Sequence, residues 1–138
     1  MDIKFKGTTE QQEMRFRKRP TRTTGCDLRV AKTADGKRYR ISIGAEATQL
    51  IMNQGGEWFF DIVKIEGTSL FGYTLTHTVT KWQVRTYNKG VACFEKTSAG
   101  ELVCDLMNAK DAYEVTMSCT GNVSTESGRF IFLCTDNL

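Results

Sequence analysis

Two stretches of this chain, EATQLIMN at residues 46–53 and ELVCDLMN at residues 101–108, share Glu46 with Glu101, Met52 with Met107 and Asn53 with Asn108, all 55 positions apart. Three identities decide little alone. The order of the flanking segments constrains far more. Upstream of the first stretch, DLRVAKTADGKRYRISIG reads as a hairpin: an alternating run, an Asp35-Gly36 turn, then Tyr39, Ile41 and Ile43 on one face. Upstream of the second, QVRTYNKGVACFEK has Asn88-Lys89-Gly90 as its turn and Val91 to Glu95 as the returning strand. Each hairpin runs into a helical pattern. Ala47, Leu50, Ile51 and Gln54 share one helical face, as do Leu102, Val103, Leu106 and Met107. Gly55-Gly56 should stop the first helix, and Ser98 with Glu101 has capping-box spacing for the second.

Downstream, Trp58, Phe60 and Ile62 alternate as strand residues do, and 55 positions on lie Tyr113, Val115 and Met117. Phe71, Tyr73 and Leu75 then correspond to Phe130, Phe132 and Cys134, now 59 positions apart because the second connection is longer. Each half therefore reads strand, strand, helix, strand, strand. Units this small cannot bury their own apolar faces, so the expectation is an α+β fold, mostly β, in which two ββαββ repeats share one core as a pseudo-dimeric barrel. The divisions expected are a basic N-terminal arm over 1–26, a first repeat over 27–76, a linker over 77–81 and a second repeat over 82–138.

This order resembles the swapped-hairpin domains of AbrB-type transcription regulators and MazE-type antitoxins, on the turn glycine followed by RISI and an immediate short helix. The resemblance covers about residues 27–76 and, less closely, 82–135. It implies interleaving of the two repeats into one closed barrel, with the first hairpins presented to DNA. Glu95 stands where the first copy has Arg40, so the two faces are expected to be inequivalent.

Charge is distributed unevenly. The formal total is +3, yet residues 15–40 hold ten Lys or Arg against two acids. A field of this kind attracts a phosphate backbone or an acidic protein surface. Within it, Arg15, Arg17, Lys18, Arg19 and Arg22 form an arm with no intervening acid, and Pro20 argues against a helix through it, so it is expected to be flexible or extended. Arg29, Lys32, Lys37, Arg38 and Arg40 belong to the first hairpin. Arg38 and Arg40 should share the face turned away from Tyr39 and Ile41. A charge-dense arm supplies sequence-independent affinity by releasing counterions, and a two-stranded ribbon can enter a groove or lie along a backbone. Phe16, Tyr39, Trp82 and Tyr87 interleave with the charges; core packing is the simpler role for Tyr39 and Trp82.

Enzyme chemistry finds little support. The single histidine, His77, lies in the polar TLTHTVT between the halves with no nucleophile motif beside it. Glu101 and Asp105, one helical turn apart, read as an exposed face. The cysteines, Cys26, Cys93, Cys104, Cys119 and Cys134, are odd in number, lack Cys-x-x-Cys spacing and have no second histidine with which to build a zinc shell. Free, mostly buried thiols are expected, with no cofactor and no metal. The start of the chain has no apolar run of signal-peptide or membrane-span length, which gives the expectation of a soluble, cytoplasmic protein. The function expected is therefore that of a small non-enzymatic DNA-binding protein with a transcription-regulatory role, its partner double-stranded DNA. The alternative is an inhibitor or adaptor of the phage or plasmid type whose basic strip meets an acidic protein.

Overall fold

The computed structural model describes residues 25–88, 90–124 and 128–135. The architecture is mixed α+β and mostly strand. The first half contributes β1 (Leu28–Lys32), β2 (Tyr39–Ile43), α1 (Ala45–Gln54), β3 (Phe59–Lys64) and β4 (Phe71–Thr76). The second contributes β5 (Trp82–Gln83), β6 (Thr86–Asn88), β7 (Val91–Glu95), α2 (Thr97–Leu106), β8 (Glu114–Met117) and β9 (Arg129–Leu133). Among the described residues, no helix is long and apolar enough to cross a membrane.

The strands form two antiparallel sheets, ordered β6-β7-β2-β1-β8 and β5-β3-β4-β9. A single closed barrel was the expectation, and the hydrogen bonding departs from it at two places. At the first, residues 82–88 bend between the sheets. Phe60 pairs with Trp82 in the second sheet, Val84 N–H donates to the Trp58 carbonyl, and Arg85 N–H already reaches Cys93 in the first. A strand that serves two sheets makes a corner, at the cost of a continuous ladder. At the second, β8 and β9 do not pair, and the residues just after them meet through one isolated bridge, Cys119 opposite Cys134.

Alternation in the sequence explains which face of β1, β2 and β9 is buried, whereas β4 is buried on both faces from Phe71 to Leu75. Leu28, Val30, Ile41, Ile43, Phe60, Tyr73, Leu75 and Phe132 are fully enclosed, and the second half adds Val103 and Met117 to the same core. The two halves thus share one interior, where burying each large apolar side chain stabilises the fold by roughly 1.5–3 kcal/mol. Aromatic rings concentrate on the inner face of the second sheet: Phe60, Tyr73 and Phe132 stack in sequence at centroid separations of 5.7 and 4.8 Å. The Tyr73 hydroxyl, buried among them, donates to the Cys26 carbonyl at 2.7 Å.

The helix ends use backbone more than side chains. Gly55 closes α1 at φ 72°, its N–H bonded to the Ile51 carbonyl, as the glycine pair suggested. At the other end the Gly25 carbonyl accepts from Glu46 and Ala47 N–H. The capping box expected at Ser98 does not form: α2 starts at Thr97 with no side-chain cap, and Ser98 Oγ instead accepts a bond from the Trp82 indole at 3.1 Å. A buried tertiary donor outcompeted the local cap. Thr48, fully buried, joins the halves, donating to the Ile43 carbonyl and accepting from Ala92 N–H in β7. None of the five cysteines is in a disulfide; Cys26, Cys93, Cys104 and Cys134 are buried and Cys119 is partly exposed.

Candidate nucleic-acid interface

The β1–β2 hairpin is built from local signals. Asp35 and Gly36 lie in a six-residue connection, with Gly36 at φ 73° and its N–H bonded to the Thr33 carbonyl. Thr33 Oγ1 donates to the Asp35 carboxylate, which also accepts from Lys37 N–H. The Thr33 hydroxyl first, then the Lys37 N–H, with a smaller contribution from the Arg38 charge, hold the Asp35 carboxyl below its ordinary 3.8. These bonds brace the tip from within.

The strand period then sorts the side chains. Tyr39 and Ile41 are buried, whereas Arg38 and Arg40 are exposed on the opposite side. Both guanidinium groups converge on one carboxylate. Arg40 Nη2 lies 2.7 Å from Glu95 Oε2, with Nε of the same arginine 3.2 Å from that oxygen, and Arg38 Nη1 lies 3.3 Å from Oε1. The register explains the meeting, since Arg40 stands directly opposite Glu95 where β2 pairs with β7. The hydrogen bonds that Arg40 donates to the Glu95 carboxylate raise its pKa further, so its charge is fixed throughout the working pH range. The side chains of Arg38 and Arg40 remain 59% and 50% exposed.

On the neighbouring strand, Arg29 Nε donates to Glu114 Oε2 at 2.7 Å, a diagonal contact across the β1–β8 pair. Lys32 Nζ sits 5.9 Å from the centre of the Tyr39 ring, a cation–π distance. Lys37 is exposed in the turn. Between the arginines lie the small residues Ala31 and Ser42, which leave a shallow depression of about 510 Å³ along the outer face of the hairpin. Five cations, Arg29, Lys32, Lys37, Arg38 and Arg40, and three carboxylates, Asp35, Glu95 and Glu114, thus share the hairpin and its immediate neighbours. Arg15, Arg17, Lys18, Arg19 and Arg22 lie outside the described residues.

The hairpin is not a free ribbon. Leu28 to Ala31 are paired with β8 on one edge and Arg40 to Ile43 with β7 on the other. What it offers a partner is a sheet face and the projecting tip at 33–38. Of the aromatics among the charges, Tyr39 and Trp82 are core residues, 5% and 6% exposed, while Tyr87 is 44% exposed. Tyr39 is fixed at both ends: its hydroxyl donates to the Ala112 carbonyl, and burial together with the nearby Cys104 thiol pushes its pKa up to about 12.

Glu95 and Glu114 were not singled out as arginine partners from the sequence. Glu95 carried a signal, since the comparison of halves set it against Arg40. Glu114 carried none, because its meeting with Arg29 depends on the pairing of strands 85 residues apart.

Other side chains singled out from the sequence, His77, Glu101 and Asp105, lie among the described residues. His77 tilts onto Trp58 at a centroid distance of 3.9 Å, and its Nδ1, 2.8 Å from the Glu57 carbonyl, must carry the proton that it donates there. Glu101 and Asp105 are exposed on α2. On the outer face of the second sheet a depression of about 440 Å³ is lined by Asp61, Thr74, Thr76, Thr78, Thr80 and Arg129. Two of its threonine hydroxyls are committed to the wall, Thr74 donating to the Phe130 carbonyl and Thr80 to that of Phe60. Among the described residues, no three His, Cys, Asp or Glu side chains cluster so as to hold a metal ion. No family model, curated protein or solved structure matches this chain.

Proposed function

We propose that this protein is a small, non-enzymatic DNA-binding protein with a regulatory role, which contacts the backbone of double-stranded DNA through the β1–β2 hairpin and the basic arm. The observation that carries this reading is the pair formed by Arg38 and Arg40, held side by side at the surface by one carboxylate. Each guanidinium has five N–H donors, and Glu95 occupies only some of them. A planar, oriented donor set of this kind suits phosphate oxygens and loses little freedom on binding. Because both long edges of the hairpin are already paired, the reading favours contact along a phosphate backbone by the sheet face, with only the tip at 33–38 able to reach base edges.

The same proposal takes the two halves as copies of one ββαββ unit, interleaved as in AbrB- and MazE-type domains. Four strand pairings support it. Arg40 is opposite Glu95, its own counterpart in the comparison of halves, as expected where two equivalent strands meet across a two-fold axis. Strand β1 of the first half pairs with β8 of the second, and reciprocally β3 pairs with β5. Finally, β4 pairs with its counterpart β9. An experimental structure in which 27–76 and 82–135 fail to superpose would remove this part of the reading.

DNA binding is tested by fluorescence anisotropy with arbitrary duplexes at several salt concentrations. The expected result is an affinity that falls steeply with salt, and a slope that shrinks by up to about two units in R38A/R40A. Unchanged affinity and slope in a folded double variant would remove the hairpin from the contact surface. One feature favours a second reading, that of an adaptor or inhibitor docking onto an acidic protein: Asp35, Glu95 and Glu114 stand between the cations, a mixed pattern suited to a protein surface. Absence of duplex binding even at low salt would make this reading the better one.

A further inference from the structure

Cys119 and Cys134 face each other as an isolated antiparallel pair. Thr120 N–H donates to the Leu133 carbonyl and Thr135 N–H to that of Ser118, both at 2.8 Å. These bonds bracket the cysteines, which makes theirs a non-hydrogen-bonded position, the narrow kind in which opposed Cα atoms lie about 4.5 Å apart. Opposed residues in such a pair project to the same side of the strands. A disulfide requires Cα atoms about 4.4–6.8 Å apart, so the backbone already meets its main geometric demand. Other cysteines lack this relation: Cys93 is opposite Ser42 and Thr86, Cys104 lies within α2 and Cys26 precedes β1.

The two thiols also differ in access. Cys134 is fully buried, whereas Cys119 is partly exposed, its S–H directed at the Met117 carbonyl at 3.5 Å. This combines an entry point with a resolving partner behind it. Their bridge, moreover, ties the segment after β8 of one sheet to the end of β9 in the other.

We propose that Cys119 and Cys134 are an oxidation site, converted by a low-molecular-weight disulfide into a cross-strand disulfide that locks the two sheets together. In the first step the Cys119 thiolate attacks one sulfur of the external disulfide. The external S–S bond breaks, a mixed disulfide forms on Cys119, and one thiolate departs, taking up a proton. In the second, the Cys134 thiol gives up its proton and attacks the Cys119 sulfur, releasing the second external thiol. The protein loses two protons and two electrons, which the external disulfide takes up to become two thiols. The product closes a loop between residues 119 and 134, restricts the unfolded chain and should raise Tm by about 10 °C.

The test uses the full-length protein, purified reduced, then incubated with oxidised or reduced glutathione and mapped by non-reducing peptide mass spectrometry. A peptide pair joined through Cys119 and Cys134, with a Tm increase that dithiothreitol reverses, is the expected result. In C134S, Cys119 should stop as a glutathione adduct and the Tm increase should vanish. The wild-type map decides the matter even if a variant misfolds. Cys119 unmodified, retained as a glutathione adduct beside a free Cys134, or joined to Cys26 would each overturn the proposal, and a mapped disulfide without a change in Tm would overturn the locking.

Discussion

Substituting Gly100 by Ala sets local preference against tertiary packing, and the structure decides the sign. Gly100 is the fourth residue of α2, where alanine is favoured over glycine by roughly 1 kcal/mol. Helix propensity alone therefore predicts stabilisation. A Cβ at this position, however, would lie 2.2 Å from Tyr39 Cβ and 2.4 Å from its Cγ, whereas carbon atoms rest about 3.5–4.0 Å apart. The nearest obstructing atom is attached directly to the β2 backbone, so no rotamer change moves it. Relief requires α2 to retreat from β2 by on the order of 1 Å, against the Tyr39 hydroxyl bond to Ala112 and the Lys96 N–H bond to the Tyr39 carbonyl. Overpacking of this severity costs about 3 kcal/mol, which leaves a net loss of about 2 kcal/mol after the gain in propensity. Urea denaturation should show a lower midpoint at unchanged slope, and Tm should fall by about 8 °C. Gly121, exposed and with open space where a Cβ would go, is the control, and G121A should be near neutral. If G100A instead stabilises the protein, α2 does not approach β2 as closely as described. Under the proposed function the contact matters further, because Tyr39 lies between Arg38 and Arg40 and a shift of β2 would disturb the orientation of both.

Two further outcomes are expected. Glu95→Gln removes the charge that both arginines share; because Arg38 and Arg40 are half exposed or more, stability should fall by no more than about 1 kcal/mol, while under the proposed function duplex affinity rises and the salt slope steepens by about one unit. A fall in affinity in anisotropy titrations would mean that Glu95 acts chiefly by positioning the arginines. For Asp35→Asn the pH dependence has a definite sign. The folded-state pKa of Asp35 is depressed below 3.8, so its contribution is present above the unfolded value and lost as pH falls through the folded one. The variant should accordingly melt below the wild type at neutral pH, with the gap closing in strong acid, and a gap that persists there would exclude the carboxylate as its source.

What was legible in the sequence was mostly local. Alternation placed Tyr39, Ile41 and Ile43 inside and Arg38 and Arg40 outside, and Gly55 closed α1, because a strand's period and a glycine's tolerance of positive φ act over a few residues. The returning strand at Val91 to Glu95 was legible for the same reason. Ser98 shows where local reading fails: its spacing to Glu101 suits a capping box, but only the fold brings the Trp82 indole within 3.1 Å of its hydroxyl. The bend at Val84 and Arg85 depends likewise on two sheets competing for one strand, a demand that those residues do not carry. Charge follows the same division. The sequence determined that ten cations lie within 15–40 and that two of them share a strand face. Only the tertiary structure decided that Glu95 and Glu114 would hold Arg38, Arg40 and Arg29 in place, and that Cys119 would stand opposite Cys134. Those meetings depend on which strands pair and in what register, and register is settled by burying a shared core rather than by neighbours along the chain.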